Sequence, residues 1–144
     1  MLVHQILKSK SDDGVVTIGP DIPVSAAAEL MSSRRIGAVI VSEDGKVPLG
    51  ILSERDIVRE LGRRGPGCLT DRIDAMMTKD LVICVRDEAA TDVLTKMTEG
   101  RFRHMPVVEG GEMVGLISIG DVVKARLSEL SMEKEALQGM IMGH

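Results

Sequence analysis

Seven residues occur twice in this chain. Gly50-Ile51-Leu52-Ser53-Glu54-Arg55-Asp56 reappears as Gly115-Leu116-Ile117-Ser118-Ile119-Gly120-Asp121, 65 residues later. In each copy a glycine precedes two branched apolar residues, then Ser-x-x-Asp and a further apolar run. This pattern is the end of a buried strand turning into a helix capped by the serine. A repeat constrains the architecture more than any other feature, because each copy is one supersecondary unit on a shared plan.

The flanking sequence follows that plan twice. Val15-Val16-Thr17-Ile18 is β-branched throughout and predicts a strand, broken by Gly19-Pro20-Asp21. Pro23 suits a first helical position, and Val24, Ala27, Ala28 and Met31 recur on one helix face up to Arg34 and Arg35. Val39 to Val41 predicts a second strand, Glu43 to Lys46 a hairpin turn, and Val47 to Leu52 a third strand. A helix from Ser53 to about Leu61 follows, then a Gly- and Pro-bearing linker from Gly62 to Gly67. In the second half Leu81 to Val85 predicts the first strand, and Ala90, Val93, Leu94 and Met97 repeat the helix face, shifted by 66. Phe102 matches Ile36, and Met105-Pro106-Val107 matches Val39-Ile40-Val41. One residue is missing near Gly110-Gly111, in a turn, where a duplicated unit tolerates deletion. Each half is thus strand, helix, strand, strand, helix, with mixed pairing because a helix separates the first strand from the adjacent pair. A unit of about sixty residues is marginal alone, which favours two sharing a core.

After Asp121 the chain is predicted helical through about Gln138. Val123, Leu127, Leu130, Leu137 and Ile141 form an apolar row that Lys134 interrupts. Such a helix can pack on its own module or on a partner subunit.

Composition excludes several function classes. Phe102 is the sole aromatic, so no stacking platform for single-stranded nucleic acid exists. A net charge of −4 argues against a nonspecific duplex-binding surface. No apolar run reaches the length of a membrane span, and no charged-then-apolar signal segment opens the sequence. Cys68 and Cys84 form no Cys-x-x-Cys pair, so a cytoplasmic protein with free thiols is expected. His4, His104 and His144 lack metal-site spacing, and no nucleophile–base arrangement is visible. Neither a metal site, a catalytic cofactor nor catalysis is expected.

On the two glycine-to-aspartate stretches, with Ile36-Gly37-Ala38-Val39 and Arg101 to Val108 in support, the chain resembles a tandem pair of CBS (cystathionine-β-synthase-type) domains, a Bateman module, over residues 1–127. The resemblance implies an α+β fold of two pseudo-twofold-related repeats, 1–64 and 65–127, with a helical tail over 128–144. It also implies two clefts between the repeats for adenosine-containing ligands (AMP, ADP, ATP or NAD(H)), and a homodimer. Ser53 and Asp56, and Ser118 and Asp121, would then meet ribose or phosphate. Thr17 with Gly37, Ala38 and Val39, and Ile83 with His104, Met105 and Pro106, would hold adenine.

Physical reasoning supports these roles without making them unique. A helix N-terminus offers free N–H groups to an anion, and a nearby carboxylate accepts from ribose hydroxyls. Ser-x-x-Asp is equally close to a capping box in which both side chains only satisfy backbone N–H groups. Arg101, Arg103 and His104 form a basic cluster that suits phosphate or a solvated helix end; phosphate is expected at Arg103 and His104. The first half has Gly37-Ala38 there and carries Arg34, Arg35 and Arg55 instead, so unequal clefts are expected. The expected function is regulatory sensing of an adenosine nucleotide, with output through self-association or an effector protein. The alternative is a homodimerisation or partner-docking module without a nucleotide.

Overall fold

Ser53 and Ser118 each begin a helix, and both close the same reciprocal cap. Ser53 Oγ accepts from the Asp56 backbone N–H at 3.2 Å while the Ser53 N–H donates to Asp56 Oδ2 at 3.0 Å. The second copy repeats this at 3.1 and 2.9 Å between Ser118 and Asp121. Two N-terminal N–H groups are thereby satisfied per helix.

A computed structural model describes residues 1–10 and 14–142. The first half contains β1 (Thr17–Ile18), α2 (Val24–Arg34), β2 (Ala38–Val41), β3 (Gly50–Ser53) and α3 (Glu54–Arg64), preceded by helix α1 (Val3–Ser9). A 3-10 turn (Pro66–Thr70) and α4 (Ile73–Met76) lead to α5 (Ala90–Gly100), β4 (His104–Glu109), β5 (Glu112–Ser118) and α6 (Ile119–Ile141). β1 pairs parallel with β2, and β2 antiparallel with β3, giving the expected mixed sheet. β4 and β5 pair antiparallel across Gly110 and Gly111, whose φ of 58° and 81° suit a tight two-residue turn.

Three sequence expectations are corrected. The strand over Leu81 to Val85 contracts to a single parallel bridge, Cys84 with Val107. In the first half Ile40 N–H donates to Val16 at 3.2 Å, but its counterpart is Pro106, which has no N–H to give Val82. Only the rungs through Cys84 survive, at 3.0 and 2.9 Å, and Val82, Ile83 and Val85 are exposed. The third strand starts at Gly50 rather than Val47, because Asp44 Oδ1 accepts from the Lys46 and Val47 N–H groups and holds that segment in the turn. The linker region is ordered: α3 continues to Arg64, supported by Arg63 and Arg64 bonding Glu60.

The leaders of the two halves are exchanged. Val3 N–H bonds Glu88 O at 2.9 Å and Ala90 N–H bonds Met1 O, tying α1 to the second half. The same bonds recur seventy residues on, where Ile73 N–H meets Ile22 O at 2.9 Å and Val24 N–H meets Asp71 O. Accordingly Val3 and Ile6 lie in the core with Val93, Met97, Met105 and Ile117, whereas Ile73 lies with Val24, Met31, Val39 and Leu52. Two aliphatic cores result, each completed by chain from outside its own sheet.

Cys68 and Cys84 are both free and buried, and burial pushes the Cys84 thiol up to about 12. A thiol held protonated and covered is unreactive. Iodoacetamide at pH 8 is expected to label Cys84 only in denaturant; rapid labelling of the folded protein would contradict its burial.

Candidate nucleotide clefts

The two capped helices point into two clefts, and each cleft is assembled crosswise. The first, about 910 Å³, is lined by Val15, Val16, Thr17, Gly37 and Ala38 from the first half and by Gly115, Leu116 and Ser118 from the second. The second, about 750 Å³, combines Ser53, Arg55 and Asp56 from the first half with Arg103, His104 and Pro106 from the second. Both volumes suit a small-molecule site. Gly37 and His104 line both clefts and separate them; a Cβ at Gly37 would lie 3.8 Å from His104 Cε1 and 3.3 Å from Glu54 Oε1.

The remaining sequence-predicted residues fall elsewhere. Val39 and Met105 are completely buried core side chains that line neither cleft, because their strand positions face inward. Ile83 is exposed and absent from both linings; Leu81 and Val82 stand at the second cleft instead, since the short pairing leaves this segment shifted from a regular strand. Asp121 does not line the first cleft itself but is bonded to Ser118 and Lys10, which do.

At each helix start one backbone N–H remains for an incoming anion. Glu54 N–H bonds Gly37 O at 2.9 Å, and its counterpart Ile119 N–H bonds Arg103 O at 2.8 Å. The third helical N–H goes to the capping serine, which leaves those of Arg55 and Gly120 without a partner among the described residues.

The carboxylates differ in how far they are committed. Asp56 is only 8% exposed, and both its oxygens are taken: Oδ2 by Ser53 N–H and Oδ1 by Arg59 Nη2 at 2.9 Å. On Asp121 the Ser118 N–H and Lys10 Nζ, at 2.9 Å each, both fall on Oδ2. Burial raises the Asp121 pKa, but these hydrogen bonds and the Lys10 charge outweigh it, holding the carboxyl below its ordinary value and ionised at neutral pH.

Charge also divides the clefts. Lys10 and Arg34 line the first, with no carboxylate in its lining among the described residues. The second holds Arg55, Arg59, Arg101 and Arg103 against Glu54, Asp56 and Asp80. Arg101, at the end of α5, is left-handed with φ 57°, as its counterpart Arg35 is at 55°, a conformation in which glycine is usual. Sequence reasoning missed Lys10, Arg59 and Asp80. Arg59 was findable as the i+3 neighbour of Asp56; Lys10 and Asp80 arrive only through the exchanged leaders.

His104 is neutral at pH 7. Burial lowers its pKa most, and the charges of Asp121 and Glu54, which raise it, and of Lys10 and Arg103, which lower it, leave it below 6.5. It would meet a phosphate as a neutral donor rather than as a charge. Because the unfolded imidazole takes up its proton first, near pH 6.5, stability is complete above that pH and is lost as pH falls toward the folded value. Thermal melting is expected to show this loss between pH 7.5 and 5.5, and His104→Gln to flatten it; identical pH profiles would contradict the assignment.

Comparison with known proteins agrees with this architecture. The CBS domain family model matches residues 7–63 and 73–128. A crystal structure of a CBS-domain-containing protein from Agrobacterium tumefaciens is 44% identical, covers 88% of this chain and 99% of its own, and superposes with a TM-score of 0.82. A CBS domain protein from Pyrobaculum aerophilum, solved in complex with AMP, is 24% identical over 92% of this chain and 99% of its own, with a TM-score of 0.77. A CBS-domain-containing protein of Arabidopsis thaliana is 33% identical over 86% of this chain, which spans only 23% of that longer protein. Among the described residues no helix is long and apolar enough to cross a membrane. The chain belongs to the CBS-domain family and carries two of its repeats.

Proposed function

We propose that this protein is a regulatory sensor that binds an adenosine nucleotide in the first cleft, between its two repeats. One observation carries the reading. Thr17, Gly37 and Ala38 converge with Ser118 on a single large cleft where, among the described residues, the charged lining side chains are the cations Lys10 and Arg34. Adenine would lie against the backbone of Thr17 and Ala38, ribose hydroxyls would donate to Asp121, and phosphate would meet Ser118, the Gly120 N–H and the cations. AMP is the first candidate, with ADP, ATP and NAD(H) behind it; the fold holds AMP in the Pyrobaculum neighbour. The roles of Ser53, Arg55, Asp56, Arg103, His104 and Pro106 belong to a second, weaker site, since Asp56 is already fully engaged.

Binding, not turnover, is the function: the repeated aspartates act as hydrogen-bond acceptors at helix starts. A ligand touching both repeats can alter their mutual orientation or the chain's self-association, provided it favours one state over the other. We place the protein in the cytoplasm, as a homodimer reporting to an effector protein, with sequence repeats over 1–64 and 65–127.

A second reading, homodimerisation or partner docking without a nucleotide, is favoured by α6. From Leu130 to Met142 every residue except Gly139 is exposed, including Leu130, Leu137 and Ile141. Titration calorimetry against AMP, ATP, NADH and S-adenosylmethionine separates the two. Saturable binding of an adenosine ligand supports the sensor; no heat from any of them, with unchanged thermal stability, supports the docking module.

A further inference from the structure

The two clefts meet at a single imidazole. His104 opens β4 and lines both of them, facing Gly37 across the wall that divides them. The position that answers His104 in the first half is Ala38, a methyl group, so one ring serves a wall built by two repeats. A Cβ on Gly37 would stand 3.8 Å from His104 Cε1. That carbon is bonded to both ring nitrogens, so the edge presented at the wall is the one that carries them. Neither nitrogen makes a hydrogen bond among the described residues, and neither is a buried orphan. Both therefore reach solvent and are open to a ligand.

The backbone beside this ring is fastened to both capped helices. Gly37 O accepts from Glu54 N–H at the start of α3, and Arg103 O, one residue before His104, accepts from Ile119 N–H at the start of α6. Four charges from the surrounding elements face the imidazole. Asp121 on α6 and Glu54 on α3 favour its protonation, whereas Lys10 after α1 and Arg103 beside it oppose it. Lys10 lines only the first cleft and Arg103 only the second. Neither cation spans the wall as His104 does.

We propose that His104 is a ligand shared by the two clefts and couples them: with one proton on its ring, phosphate bound in one cleft weakens phosphate binding in the other, and a second proton removes that antagonism. This rests on the nucleotide reading given above. A neutral imidazole has one N–H and one lone pair. Once the N–H donates to a phosphate, the remaining nitrogen turns a lone pair toward any second anion and repels it. A doubly protonated ring has two donors and a positive charge, so it can hold both phosphates at once. Binding of the second phosphate is therefore linked to uptake of a proton.

The test is titration of the full chain and of His104→Ala with AMP at pH 7.5 and 5.5, followed by calorimetry and by the proton NMR signal of His104 Hε1. The parent is expected to bind two AMP in separate steps, and Hε1 to move in both. Acidification is expected to tighten the second step relative to the first by about 10-fold, the effect of one hydrogen bond to a charged group. The phosphate of AMP also gains a proton near pH ~6, but equally for parent and variant. His104→Ala is expected to bring the two steps closer at pH 7.5 and to lack the parent's additional pH effect. His104 belongs to neither core, so a cooperative melt is expected of the variant, and the Hε1 response of the parent needs no variant at all. A ring that responds in one step only, or the same pH dependence of the two steps in parent and variant, would overturn the coupling while leaving the sensor intact. So would a parent that binds a single AMP. A parent that binds no AMP would overturn both.

Discussion

Asp121→Asn is expected to weaken AMP binding by about 10- to 100-fold, whereas Asp56→Asn leaves it within about threefold. The asymmetry comes from how each carboxylate is used. Both close a capping box, so in both cases the sequence pattern reflects helix initiation as well as any ligand role. Asp56, however, has its second oxygen on Arg59 and is nearly covered. On Asp121 the Ser118 N–H and Lys10 Nζ both fall on Oδ2, and among the described residues no bond is made to Oδ1, which stays available to a ribose hydroxyl. Asparagine retains an acceptor for the Ser118 N–H while removing the charge, so the change tests ligand contact more than folding. Calorimetry on both variants decides it. Equal losses in the two would assign AMP to both clefts or to neither.

Gly50→Val is expected to destabilise the fold by about 3 kcal/mol or more, an overpacking effect at the upper end of its usual range, and to lower the melting temperature by about 10 °C. A Cβ at this position would lie 2.5 Å from Met77 Sδ and 2.9 Å from the backbone oxygen of Thr78. That oxygen accepts from Ile51 N–H at 3.0 Å, so it cannot retreat without breaking the bridge that fastens the leader to β3. At Gly115 the obstacle is only the Leu7 side chain, at 2.7 Å, which can turn aside. Gly115→Val is therefore expected to cost clearly less. Thermal and urea unfolding of the pair would measure the difference, and equal costs would contradict the close approach of the leader at Gly50. Gly50 is thus required by the backbone of a crossing segment, whereas at Gly115 the crossing segment presents only a side chain.

Much of this was legible in the residues. The repeated glycine-to-aspartate stretch, the helix face at Val24, Ala27 and Met31, and its copy at Ala90, Val93 and Met97 carried the strand and helix order directly, because local periodicity fixes which face is buried. Pro106 could have announced the contracted first strand of the second half: aligned with Ile40, it marks a rung that cannot form. The exchange of leaders was not legible. Val3 and Ile73 carry no local mark of which sheet they cover; only long-range packing decides it. The same is true of Lys10 and Asp121, which are 111 residues apart. Sequence motifs named residues on both sides of each cleft, but the crosswise pairing of Thr17 with Ser118 exists only in three dimensions.

The central claim is that a nucleotide is held by both repeats in the first cleft. The most direct measurement is a crystal structure of the protein grown with AMP. The expected result is adenine beside Thr17 and Ala38, ribose on Asp121 and phosphate at Lys10 and Ser118. AMP found only in the second cleft, among Arg55, Arg101 and Arg103, would contradict the account.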